Sequence, residues 1–122
     1  MNQLIKTIPT KKVSYEFLKS LNGLLDLTGR ELNLLSTFLD LQTSNKNKKI
    51  QSLDSTENRK KIMLSTGITK DNLCRYIKGF KDKKIFVTDN KITSINKALV
   101  PIVIGGKVVQ ITFILKLKDD EI

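Results

Sequence analysis

Between Lys70 and Asp82 the apolar residues Leu73, Ile77 and Phe80 recur at i, i+4, i+7, the spacing of one buried helix stripe, with Tyr76 on its flank. The opposite face then carries Asp71, Arg75 and Lys78, bordered by Asn72 and Cys74. Those side chains share a hydrogen-bonding chemistry suited to nucleic acid. The Arg75 guanidinium can bridge the two acceptors of guanine, the Asn72 carboxamide can pair bidentately with adenine, and the Lys78 ammonium can neutralise a phosphate. Asp71 reads two ways. It can accept from a cytosine amino group, or it can pair with Arg75 one turn further on as a solvated helix ion pair, and the pairing is the arrangement expected.

Catalytic chemistry is not spelled out anywhere in the chain. No histidine is present to move protons near neutral pH, and there is no phosphate-cradling glycine loop, nucleophile motif or grouped set of carboxylates. Cys74 is the single cysteine, so it has no disulfide partner within the chain, and without a histidine beside it it is a poor nucleophile. The expectation is a protein that is not an enzyme and uses no cofactor or metal, with Cys74 merely tolerated at the edge of the polar face.

Positioning that face requires a turn. The stretch from Arg59 to Val87, RKKIMLSTGITKDNLCRYIKGFKDKKIFV, reads as helix, tight glycine turn, second helix and strand. Gly67 stands where the chain must reverse, because a residue without Cβ enters the left-handed region at little cost. Thr69 can cap the second helix, and Ile62, Ile68, Leu73, Ile77 and Phe80 can close on one small core. At the start of the first helix, Asp54 or Ser55 is placed to cap, with Glu57 in the first turn where a carboxylate complements the helix dipole. Amides at such a helix start can also hold a phosphate.

The remaining elements supply the frame. From Ser14 to Leu25, Phe17, Leu18, Leu21, Leu24 and Leu25 follow a helical spacing, which outweighs the short alternation of Val13, Tyr15 and Phe17. Thr28 and Glu31 form a capping box that opens a helix from Gly29 to about Leu41. Its two apolar stripes, Leu32, Leu35, Leu39 and Leu34, Phe38, Leu41, mark it as the central helix, with the surplus stripe as an alternative dimer surface. Residues 42–53, QTSNKNKKIQSL, read as a solvated connection whose Lys46, Lys48 and Lys49 could touch phosphates.

After Phe80 the hydrophobic period changes from helix to strand. Ile85 to Thr88 and Lys91 to Ile95 flank Asp89-Asn90, and Pro101 to Ile104 and Lys107 to Lys118 flank Gly105-Gly106, so two hairpins are expected. In the last strand Val109, Ile111, Phe113, Leu115 and Leu117 alternate with mostly polar residues, giving one face to the core. Gly106 and Lys107 at the second tip, or Lys91 at the first, could approach a nucleic-acid backbone. Asn96 to Pro101, NKALVP, has room for no more than a turn of helix.

At 122 residues the chain suits one domain with a core of its own. Its formal charge of +10 points to a polyanionic partner, although 19 of its 22 basic residues are lysines in a chain also rich in asparagine and isoleucine, a bias that AT-rich coding sequence would itself produce. No apolar run reaches the length of a membrane span, and the first residues, MNQLIKTIPTKK, lack the continuous apolar stretch of a signal peptide. A reducing, cytoplasmic setting follows as the expectation, the host cytoplasm if the chain is viral, with a virion as the alternative.

The run GITKDNLCRYIKGFKDKKIFV, followed by a hairpin and then INKALVP, resembles the winged helix-turn-helix domains of plasmid replication initiators and of small phage transcription or replication regulators. The likeness extends over about the C-terminal two thirds of the chain and rests on Gly67, on Leu73, Tyr76 and Ile77, on the closing KDKKIFV, and on the segment containing Asn96. It implies an α+β fold of three to four helices followed by an antiparallel β-hairpin wing, in a single domain over residues 1–122. Residues 1–27 would be an N-terminal arm and helix, 28–82 the helical core with the helix-turn-helix, and 83–118 the β wing.

The resemblance further implies binding of double-stranded DNA through Lys70, Asn72, Arg75 and Lys78, with Arg59 and Lys60 near the backbone, often as a homodimer on a repeated site. Thr69 and Lys107 complete the candidate set. Because winged helices also assemble with proteins, the alternative is a structural or adaptor protein that joins virion or replication-complex proteins through Leu34, Phe38 and Leu41 or through the last strand.

Overall fold

The computed structural model describes residues 5, 7, 12–44, 51–101, 103–104, 108–109 and 117–118. Four helices come first: α1 (Val13–Leu25), α2 (Gly29–Ser44), α3 (Thr56–Thr66) and α4 (Lys70–Asp82). Two antiparallel hairpins follow, β1 (Phe86–Asp89) with β2 (Ile92–Ile95), and β3 (Val103–Ile104) with β4 (Val108–Val109), each a separate two-stranded sheet. The α+β layout of helices and then a hairpin is the one expected, and it is compatible with a winged helix.

Several helix boundaries have a local cause. Asp26 closes α1 in the left-handed region at φ 54°, and the Asn22 carboxamide pins the turn that follows by accepting from the Leu27 amide at 2.8 Å and donating to the Leu27 carbonyl at 3.0 Å. The capping box at α2 is formed in both directions. The Glu31 amide donates to Thr28 Oγ1 at 3.2 Å and the Thr28 amide donates to Glu31 Oε1 at 3.0 Å, so two amides that the helix itself leaves unpaired are satisfied. Of the two candidate caps before α3, Ser55 is the one used, accepting from the Asn58 amide.

Helix α2 runs through the centre of the core. Leu32, Leu34, Leu35, Phe38 and Leu39 are all buried, so both stripes are covered by the same chain: α1, α3 and β2 all pack against this helix. The alternative of a spare dimer surface therefore finds Leu34 and Phe38 already buried, and of that stripe only Leu41 stays half-exposed. Phe38 meets Phe86 edge-on with ring centroids 5.1 Å apart, and Phe86 meets Phe80 at 5.2 Å, so one aromatic cluster joins α2, α4 and β1. At the end of α1 the helical pattern overstates burial: Leu24 is 63% exposed, while Leu25 beside it packs against the core.

The first hairpin is displaced by one residue from the expected turn. Asp89 pairs with Ile92, leaving Asn90 and Lys91 at the two central positions with φ of 50° and 66°, the geometry of a type I′ turn. The segment before α3 also departs from a plain solvated loop. Leu53 is buried and its amide donates to the Thr93 carbonyl at 2.8 Å, while the Thr93 amide donates to Ser52 Oγ at 2.8 Å and the Ile95 amide to Gln42 Oε1 at 2.9 Å. The outward-facing amides of β2 are thereby satisfied by α2 and the 51–54 segment.

Asn96 caps a short 3-10 turn, Lys97–Leu99, which is the single turn that NKALVP has room for. Leu117 is 95% exposed and outside any strand, so the apolar face expected of the last strand does not extend to it. Ile111, Phe113 and Leu115 of that alternation, the tip Gly105-Gly106-Lys107, and Lys46, Lys48 and Lys49 lie outside the described residues. Among the described residues, no helix is long and apolar enough to cross a membrane.

Candidate nucleic-acid interface

Gly67 makes the turn that sets α3 against α4. It takes φ 74°, and its amide donates to the Met63 carbonyl at 2.9 Å, closing α3 in a left-handed cap that a residue with Cβ would strain. Two residues on, Thr69 Oγ1 accepts from the Asn72 amide at 3.3 Å and starts α4. The Thr69 hydroxyl hydrogen is left over from that cap and can still be donated outward.

Helix α4 buries Leu73, Ile77 and Phe80 and holds Tyr76 half-buried, as the spacing predicts. Lys70, Asp71, Asn72, Cys74, Arg75 and Lys78 are all exposed. Among the described residues no ion pair or hydrogen bond joins Asp71 to Arg75, contrary to the expected pairing. An exposed pair at this spacing is worth only about 0.3–0.5 kcal/mol, so its energetics do not compel it to form. Both side chains consequently keep their hydrogen-bonding capacity for another molecule. Asn72, Arg75 and Lys78 span about 9 Å along the helix axis, roughly the rise of three base pairs.

The basic residues of α3 divide. Lys60 is exposed, whereas Arg59 turns inward, half-buried, with Nε donating to the Asp54 carbonyl at 2.8 Å and Nη1 donating to Cys74 Sγ at 3.3 Å. Part of the Arg59 guanidinium therefore ties α3, α4 and the preceding segment together, leaving fewer donors than the sequence led one to expect for a phosphate. The structure places Lys70, Asn72, Arg75 and Lys78 on α4 with Thr69 as its N-cap, and Lys60 on the neighbouring helix. Lys107 lies outside the described residues, and Lys91 is exposed at the tip of the first hairpin.

No family model, curated protein or solved structure matches the chain.

Asp54 is the residue that sequence reasoning undervalued. Its carboxylate receives the Lys81 ammonium at 2.8 Å on Oδ2 and the Ser52 hydroxyl on Oδ1. Partial burial pushes this carboxyl upward, but the hydrogen bonds from Lys81 and Ser52 and the Lys81 charge outweigh it, and the group titrates below the ordinary aspartate value. Asn58 is also buried, donating from Nδ2 to the Ser52 carbonyl at 2.8 Å, while its Oδ1 has no partner. These contacts bridge 27 residues for Asp54–Lys81 and 41 for Ser52–Thr93, so no local pattern announces them.

Proposed function

We propose that the chain binds double-stranded DNA by laying α4 in the major groove, as a non-enzymatic regulator of transcription or replication of phage or plasmid origin. The supporting observation is the uncovered polar side of α4, where Asn72, Arg75 and Lys78 are exposed and Arg75 is unpaired among the described residues, with Lys70 exposed at the helix start. A helix about 10–12 Å across matches a groove about 12 Å wide, and the first turn of α4 leads with Thr69 and Lys70, residue types that contact phosphate. The formal charge of +10 favours the same partner. Arg75 reads guanine, Asn72 reads adenine, and Lys60, Lys70 and Lys78 neutralise the backbone.

Binding to duplex DNA at graded salt tests the proposal. With roughly six phosphates contacted, log affinity falls against log salt with a slope near about −5. Arg75→Ala relaxes base preference by about 1–3 kcal/mol, whereas Lys78→Ala weakens all sequences alike and lowers the slope by about 1. A salt-independent response, or a higher multimer that leaves DNA unretarded, overturns the proposal in favour of an assembly protein. Such a protein would have to use a surface other than Leu34 and Phe38, which the chain itself buries.

A further inference from the structure

We propose that Asp54 is the positioning residue that fixes the orientation of α4 relative to the β1–β2 hairpin, and so decides how Asn72 and Arg75 are presented; this rests on the DNA-binding reading above. Helix α4 is held to the body of the protein by Leu73, Ile77 and Phe80, and apolar contact of that kind resists separation far more than it resists rotation or sliding. Directional contacts are needed to remove those freedoms: the Ile85 amide donates to the Phe80 carbonyl at 2.9 Å where α4 passes into β1, and away from that link the side-chain contacts meet at Asp54. Lys81, in the last turn of α4, reaches Asp54 Oδ2 at 2.8 Å. Arg59 donates from Nε to the Asp54 carbonyl and from Nη1 to Cys74 near the middle of α4, so the helix is tied at two points along its length.

The connection continues to the hairpin. Ser52 donates to Asp54 Oδ1, and its Oγ accepts the Thr93 amide of β2 at 2.8 Å, next to the Leu53–Thr93 backbone bond. The path from Lys81 through Asp54 and Ser52 to Thr93 therefore links the helix and the hairpin without using the hydrophobic core. Removing the Asp54 carboxylate cuts it at the centre. Non-specific affinity, which depends on lysine charge, survives a small rotation of α4, whereas bidentate base contacts do not, because they need both hydrogen bonds aligned at once.

The test uses the full chain with two substitutions, Asp54→Ala and Lys81→Met, the second keeping an aliphatic stem at an exposed position so that folding is preserved. Residual dipolar couplings measured without DNA report the angle between residues 70–82 and 86–95. Both variants are expected to change that angle, to lose about tenfold or more in discrimination between preferred and scrambled duplexes, and to keep the wild-type salt slope; Asp54→Glu is expected to restore part of the discrimination. Unchanged couplings in both variants overturn the assignment of Asp54. Failure of the wild-type chain to bind DNA overturns instead the functional reading on which it rests, and the couplings still judge the orientation.

Discussion

Arg75 and Asp54 show how differently two charged residues of one fold can be used. Arg75 is on the open side of α4 with no partner among the described residues, whereas Asp54 is closed in by Lys81 and Ser52. Because the folded-state pKa of Asp54 is depressed, its contribution to stability is complete above the ordinary aspartate pKa of about 3.9 and disappears as pH falls through the lower folded value. Asp54→Asn removes that titration. Urea denaturation of the two proteins is expected to show the wild type more stable at neutral pH and the difference shrinking below about pH 4; a gap that stays constant with pH would contradict it. The chemistry available to Arg75 and Asn72 was legible in the sequence, since helical spacing alone puts them opposite Leu73 and Ile77. The use of Asp54 was not, because its partner Lys81 is 27 residues away and a capping role explained its position equally well.

Elements were legible where their signals are local. The capping box of Thr28 and Glu31, the glycine turn at Gly67, the Thr69 cap and the change of period after Phe80 each need only neighbouring residues to satisfy backbone groups, and each formed. The hairpin turn was missed by one residue, because Asp89-Asn90 and Asn90-Lys91 both contain an asparagine suited to the left-handed region. Lys91 sits there at φ 66°, a conformation that costs a residue with Cβ about 1–2 kcal/mol. Lys91→Gly therefore creates the preferred Asn-Gly turn and is expected to stabilise the protein by about 0.5–1 kcal/mol after the added unfolded-state entropy of glycine. Thermal denaturation checks it, and a lowered midpoint would show that the turn gains nothing from relief at this position.

At the scale of the whole molecule, one aromatic cluster decides how the parts meet. Phe38 is 0% exposed and, through Phe86 and Phe80, joins the central helix to α4 and the first hairpin. Phe38→Ala is expected to cost about 3–5 kcal/mol, a large share of the ~5–15 kcal/mol that stabilises a typical domain, while exposed Leu64→Ala changes stability by less than about 0.5 kcal/mol. Chemical denaturation of both variants tests the contrast, which fails if the two substitutions cost the same. By itself the sequence determined the four helices, the two hairpins, the exposed side of α4 and the burial of Leu73, Ile77 and Phe80, because periodicity and capping act within a few residues. Only the tertiary structure decided that both stripes of α2, apart from half-exposed Leu41, are buried inside the chain, that Arg59 faces inward, and that Asp54 and Ser52 join helix to hairpin. Those outcomes depend on which distant segments come to lie side by side, and a one-dimensional pattern does not carry that information.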